Sequence, residues 1–152
     1  MAHSAPERAE NEVSALVDGY ARCADARDAD GFRALFADDA VLTVIEPDGT
    51  TRPPLVGVDQ IAKIPVRLGR YDRTLHRVGA PRVEPDGPDA ATGTVECEAH
   101  HHLDDTDTVM TITYEDRYRR TEDGWRFAER TVRIRHQEDR SIASGRIEGD
   151  ET

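Results

Sequence analysis

The first recurrence of apolar positions along the chain is helical. Val13, Leu16, Val17, Tyr20 and Ala24 return every three or four residues, while Glu10, Glu12, Asp18 and Arg22 take the other side. This spacing predicts an amphipathic helix from near Glu7 to near Asp25. Asp28 is placed to cap a second, short helix with Phe32, Leu35 and Phe36 as its apolar face, broken by Ala37-Asp38-Asp39-Ala40. The β-branched run Val41 to Ile45, closed by Pro47-Asp48-Gly49-Thr50, predicts a strand. A further helix is expected from Val58 to about Leu68, kinked or divided by Pro65, whose ring removes a backbone donor. Beyond Arg73, turn signals at 85–89, 104–107 and 122–124 separate expected strands near 74–84, 90–103, 108–120 and 125–136. Helices followed by a meander of long strands is an α+β pattern: a strongly bent, mostly antiparallel sheet with the helices on one face.

Strand parity then assigns faces. Over 90–103 the odd positions Ala91, Gly93, Val95, Cys97, Ala99, His101 and Leu103 form the core side, which takes His101 inside and leaves His100 and His102 outside. The triple histidine invites a metal reading. Adjacent strand residues cannot converge on one ion, however, and no Glu or Cys sits at ligand spacing on the inner side, so no metal site is expected. Over 108–120 the even set Met110, Ile112, Tyr114, Asp116 and Tyr118 faces inward, which puts a carboxylate among aromatics. On the last strand Trp125 and Phe127 share one parity, whereas Ala128, Arg130, Val132 and Ile134 share the other, so a bulge is expected near 127–128 and Arg130 turns inward. Asp116 and Arg130 then either form an internal ion pair locking two neighbouring strands or hold a ligand oxygen. Near the start of the 74–84 strand, Thr74, His76, Val78 and Ala80 share a face, with His76 at the rim of any cavity.

Length and charge narrow the class. The 152 residues suffice for one domain, expected over 9–136, with 1–8 as a loose lead-in and 137–152 as a polar, acidic tail. A net charge of −11, with Lys63 the only lysine among 20 basic residues, disfavours nucleic acid and anionic membrane as partners. No apolar run is long enough to span a bilayer and the N-terminus lacks the apolar segment of a secretory signal, so a cytoplasmic protein is expected. Cys23 and Cys97 are isolated, which excludes a disulfide framework and a cysteine-rich zinc site.

The order of elements, with Phe-Ala-Asp-Asp-Ala at 36–40, Gly-Val-Asp-Gln-Ile at 57–61, Tyr-Glu-Asp-Arg-Tyr-Arg-Arg at 114–120 and Asp-Gly-Trp-Arg-Phe-Ala-Glu-Arg at 123–130, resembles the nuclear-transport-factor-2-like superfamily, and within it the SnoaL-like branch. The resemblance covers about 10 to 135. It implies a conical fold, a curved sheet wrapped around a pocket that the helices close, commonly dimeric through the outer sheet face, so a homodimer is expected. The fold carries many activities, so function must be read from the site. The general-base Asp of ketosteroid isomerases would fall on Val44 and their second carboxyl on Tyr114, which disfavours that mechanism. Bile acid dehydratases, scytalone dehydratase and hexachlorocyclohexane dehydrochlorinase work with a His at the start of the first long strand and an Asp from the first helix region. The matching residues here are His76 and Asp25, with Tyr20 at the bile acid dehydratase spacing and His101 at the second histidine of scytalone dehydratase.

A carboxylate bonded to one imidazole nitrogen fixes the tautomer and leaves the other nitrogen to remove a proton from carbon. Asp25 alternatively continues the polar helix face and pairs with Arg22. The resemblance therefore implies a cofactor-independent lyase or isomerase of dehydratase type, acting on a small apolar oxygenated compound such as a polyketide, terpenoid or steroid-like carbonyl. His76 would be its base and Asp25 its orienter, with His101 and Tyr20 handling oxyanion charge or a leaving hydroxyl. Tyr114, Asp116 and Arg130 are expected to contact the substrate. The alternative is a non-catalytic binding module using the same cone.

Overall fold

The structure is a computed structural model that describes residues 4–143. Helix α1 spans Ala5–Ala26; the Ser4 hydroxyl accepts the Glu7 N–H, and the helix stops where Arg27 turns left-handed at φ 59° and its N–H bonds back to Ala24 and Cys23. Asp28 caps α2, Ala29–Arg33, by accepting the Gly31 N–H at 2.9 Å. The second helix is shorter than its apolar spacing predicts. Phe36 opens strand β1, Phe36–Ile45, because it pairs with Phe127 far along the chain, a partner that no local pattern announces.

After β2, Leu55–Val56, the expected long helix divides into α3, Val58–Ile61, and α4, Lys63–Leu68. The break at Ala62 falls where the Pro65 ring would crowd a continuous helix. The strand expected over 74–84 is also two, β3 at Arg73–Val78 and β4 at Arg82–Pro85, parted by Gly79-Ala80-Pro81 and both laid against β5, Ala90–Leu103. Strands β6, Thr106–Thr121, and β7, Gly124–Ser141, complete the sheet. Its order is β2-β1-β7-β6-β5-β3, with only the β1–β7 pair parallel. The result is the α+β architecture expected, a curved, unclosed and mostly antiparallel sheet packed by the helices on its inner face.

The expected limits of the folded unit need correcting at both ends. Residues 5–8 are the first turn of α1, and 137–141 continue β7 against Thr106–Met110. The rest of the tail, from 144, lies outside the described residues, as do residues 1–3.

Parity holds along β5: Ala91, Val95, Cys97, Ala99 and His101 are buried, and Leu103 is the exposed exception at the strand's end. The bulge expected near 127–128 is present. Tyr118 pairs with Phe127 while Arg117 pairs with Glu129, so Ala128 is the extra residue that turns Arg130 inward. Arg130 faces Asp116 directly across the ladder, with Nε donating to Oδ1 at 2.9 Å and a terminal nitrogen to Oδ2 at 3.3 Å. The Tyr118 hydroxyl donates to the same Oδ2 at 2.7 Å. Gly93 makes room for that ring, since a Cβ there would stand 2.9 Å from a Tyr118 ring carbon.

Both charged side chains are wholly buried. Burial drives the Asp116 carboxyl above its usual range, against the pull of Arg130 and the Tyr118 hydroxyl. Removing one partner strands the other charge in the core. Asp116→Ala is therefore expected to lower unfolding stability by about 3–5 kcal/mol in urea titration, and the double change of Asp116 and Arg130 to apolar residues by less than the two single losses together.

Candidate active site

Asp25 closes the last turn of α1, where the left-handed Arg27 ends the helix and leaves the carboxylate facing β3. Its Oδ1 stands 2.7 Å from His76 Nδ1 and accepts the Thr74 hydroxyl at 3.0 Å, while Oδ2 accepts the His76 backbone N–H at 2.9 Å. Arg27 donates to the Thr74 hydroxyl oxygen at 2.7 Å, so the residue that stops the helix also braces the carboxylate's partner. Burial alone would raise the Asp25 carboxyl. The hydrogen bonds from the His76 ring and backbone, the charge of His76 and the Thr74 hydroxyl outweigh it and hold the group below its ordinary range. An ionised carboxylate can only accept, so the Nδ1 of His76 carries the proton and Nε2 is left as the basic nitrogen. The partners of the Asp25 carboxylate come from β3, not from Arg22.

His76 lines a cavity of about 390 Å³ between the helices and the inner sheet face. Its walls include Leu42, Ile64, Leu68, Ile112 and Val132, and the exposed Arg52, Arg67 and Arg70 stand at its rim. His101 and Tyr20 share this wall with His76, as does Tyr114. The His101 ring sits edge-on to His76 with centroids 5.6 Å apart, and Tyr71 packs on it at 4.9 Å. Its Nδ1 is buried with no hydrogen-bond partner among the described residues. Burial, then a positive charge on His76, push the His101 pKa down to about 4; the Thr108 backbone opposes them, and Arg70 and Asp25 add smaller effects of opposite sign. His101 is thus a neutral imidazole at pH 7. Tyr20 is pushed up to about 12 by burial despite the neighbouring Arg130, so its hydroxyl keeps its proton. Tyr114 rises well above its usual value for the same reason and directs its hydroxyl to Cys97 Sγ at 3.6 Å.

Asp116 and Arg130 stand differently from expectation. Neither lines this cavity: the guanidinium lies 3.6 Å from the Tyr114 ring centre, 4.2 Å from Tyr20 and 4.6 Å from Phe127. Arg130 lies behind the cavity floor against Tyr20 and Tyr114, and Asp116 meets Arg130 and Tyr118. Sequence reasoning missed Thr74, Arg27 and Tyr71. Thr74 was readable as the same-face neighbour of His76, but Arg27 and Tyr71 carry no pattern of their own. On the outer face His100 and His102, two residues apart, share a side and meet Asp107 of β6.

A SnoaL-like domain model matches residues 7–131. The chain belongs to the SnoaL-like family. No match is found among curated proteins. Among solved structures, this SnoaL-like chain is similar to a hexachlorocyclohexane dehydrochlorinase (LinA) of type 2, at TM-score 0.77 and 18% identity, over 96% of this chain and 99% of the other. It is similar to the Kfla4162 protein of Kribbella flavida at TM-score 0.74 and 24% identity, over 88% and 95%. A candidate scytalone dehydratase of Novosphingobium aromaticivorans aligns at TM-score 0.73 and 19% identity, over 94% and 95%. These similarities establish a fold shared with these proteins.

Two measurements check the site's physical chemistry. Asp25→Ala removes three hydrogen bonds, one to the main chain of β3, whereas His76→Ala keeps the main-chain bond; the first should cost more stability in urea titration, by about 1–3 kcal/mol. His101 is harder to protonate in the fold than in the unfolded chain. Its contribution is constant above about pH 6.5 and turns unfavourable as pH falls toward about 4, where the unfolded chain takes up the proton first. The stability advantage of the native protein over His101→Gln should narrow across that window, by up to about 3 kcal/mol.

Proposed function

We propose that this chain is a cofactor-independent lyase or isomerase that removes a proton from carbon in a small, mostly apolar oxygenated compound, such as a polyketide, terpenoid or steroid-like carbonyl. The observation that carries the reading is the Asp25–His76 pair at the wall of an otherwise largely apolar cavity. Asp25 keeps the proton on Nδ1, so Nε2 takes the proton next to the substrate carbonyl or opposite a leaving group. As negative charge grows on the substrate oxygen, the un-ionised Tyr20 hydroxyl and a neutral His101 N–H are the donors at hand. In an elimination the protonated His76 returns its proton to the departing hydroxyl, so that water leaves, the double bond remains and the base is regenerated.

Three features of the cavity support this assignment. It is large enough for a ligand of one to three rings, Leu42, Ile64, Ile112, Val132 and other apolar side chains line it, and His76, His101 and Tyr20 are among its lining residues. Arg130 and Asp116 act here as positioning residues that fix the two tyrosines. Tyr114 contributes wall rather than a donor, since its hydroxyl is turned to Cys97.

The test is turnover of a panel of β-hydroxy ketones, β-hydroxy thioesters and β,γ-unsaturated ketones, with product identified by mass spectrometry and proton exchange at the α-carbon followed by NMR in D₂O. His76→Ala should lower kcat by about 10²–10⁴-fold on any active compound. Asp25→Asn should lower it by about 10²-fold or more, with the pH profile displaced. Unchanged turnover and α-proton exchange in His76→Ala would sink the assignment. Saturable binding of panel compounds with neither exchange nor turnover in the unaltered protein would show a binding module instead.

A further inference from the structure

The histidine run at 100–102 serves two faces of β5. His101 belongs to the cavity, whereas His100 and His102 lie on the outer face, where the β5–β6 ladder sets Asp107 directly opposite His102. His100 Nδ1 is 2.7 Å from Asp107 Oδ2, and His102 Nε2 is 3.4 Å from Asp107 Oδ1. One donor atom from each of the three residues falls within 4.8 Å of the other two. The other nitrogen of His100, Nε2, is 2.9 Å from Glu98 Oε2. Asp107 itself is only 6% exposed, and its Oδ1 has no hydrogen-bond partner among the described residues.

A carboxylate removed from water with one oxygen unsatisfied is costly unless a cation or further donors meet it. Here two imidazoles converge on it from the neighbouring strand, and an outer carboxylate backs one of them. That is the composition of a two-histidine, one-carboxylate metal centre with an oriented imidazole. The spacing fits. Ligand atoms about 2.0–2.1 Å from a tetrahedral ion stand about 3.3 Å from one another. His102 Nε2 stands 3.4 Å from Oδ1 and His100 Nδ1 2.7 Å from Oδ2, so each imidazole faces its own oxygen of one carboxylate, and shifts within the 4.8 Å spread of the three donors would bring them onto one ion.

We propose that His100, His102 and Asp107 form a binding site for a first-row divalent transition metal of the Zn²⁺ type, with Glu98 as the positioning residue behind His100. Imidazole nitrogens favour such ions over Mg²⁺ or Ca²⁺, whose ligands are oxygens. Three protein ligands leave at least one coordination position for water. The ion ties β5 to β6 at the two pairs that bracket His101, on the face opposite the cavity, and the proposal stands apart from the chemistry assigned to His76.

The experiment uses the full chain, free of any affinity tag and stripped with a chelator, titrated with Zn²⁺ by calorimetry and with Co²⁺ by visible absorption. One equivalent should bind with Kd below about 100 µM. His102→Gln and Asp107→Asn should each weaken binding by at least about tenfold, and Glu98→Gln by about tenfold or more. His101→Gln, on the other face, and His136→Gln, on β7, should leave affinity within about twofold. Circular dichroism of the metal-free variants checks that each is folded, and the exposed Glu98→Gln serves where a ligand change unfolds the chain. Absence of saturable binding in this range would overturn the proposal. So would binding that survives His102→Gln, Asp107→Asn and Glu98→Gln, or that is lost in His101→Gln.

Discussion

A guanidinium without exposed surface sits at the centre of this molecule, and its neighbours are arranged around the cost of keeping it there. Taking a carboxylate and a guanidinium out of water costs several kcal/mol per ion even after relaxation. The cost is offset at Arg130 by the paired Asp116 contacts and by three aromatic rings within 4.6 Å of the charge. The bulge at Ala128 is what delivers the side chain inward. Without the bulge, regular alternation from the inward Phe127 would turn Arg130 to the outer face, and Asp116 would be left in the core without its partner. Because Tyr20 comes from the first helix and Tyr114 from the sheet, one cation fixes both layers, and their rings become the floor of the cavity.

Above that floor, two imidazoles share one cavity with different surroundings. His76 is backed by a carboxylate and braced through Thr74 and Arg27; His101 is desolvated, packed by Tyr71, and left with a buried nitrogen lacking a partner. The two environments thus treat like groups differently: one imidazole is oriented by a carboxylate, the other is kept neutral by burial. The acidity of the chain as a whole bears little on this, because arginines stand at the rim and beneath the floor, and the carboxylates nearby are already engaged.

Much of this was legible in the sequence, and the parts that were not share a cause. Faces on β5 and β6 follow from the period of two, and the parity switch after Phe127 announced both the bulge and the inward Arg130. The helix caps at Ser4 and Asp28 are local as well. What escaped depends on partners distant in sequence. Phe36 looks helical until Phe127 pairs with it, and the polar stretch 137–141 carries no apolar signal, yet it finishes a ladder with β6. The meeting of Asp25 and His76 was expected from a family resemblance, since no spacing rule links the end of a helix to a strand fifty residues on. A turn misplaced by two residues hid the outer-face cluster. The chain reverses at Asp104-Asp105, so Asp107 belongs to the ladder opposite His102 and not to the turn.

The two oxygens of Asp25 hold different things: one grips an imidazole, the other a peptide N–H that any residue at position 76 would present. A lineage carrying this fold can therefore drop the imidazole and keep the helix moored to the strand. Replacing the carboxylate gives up the mooring as well. Drift should therefore tolerate position 76 more readily than position 25, and an aspartate retained without its histidine would be a relic of architecture and not of chemistry.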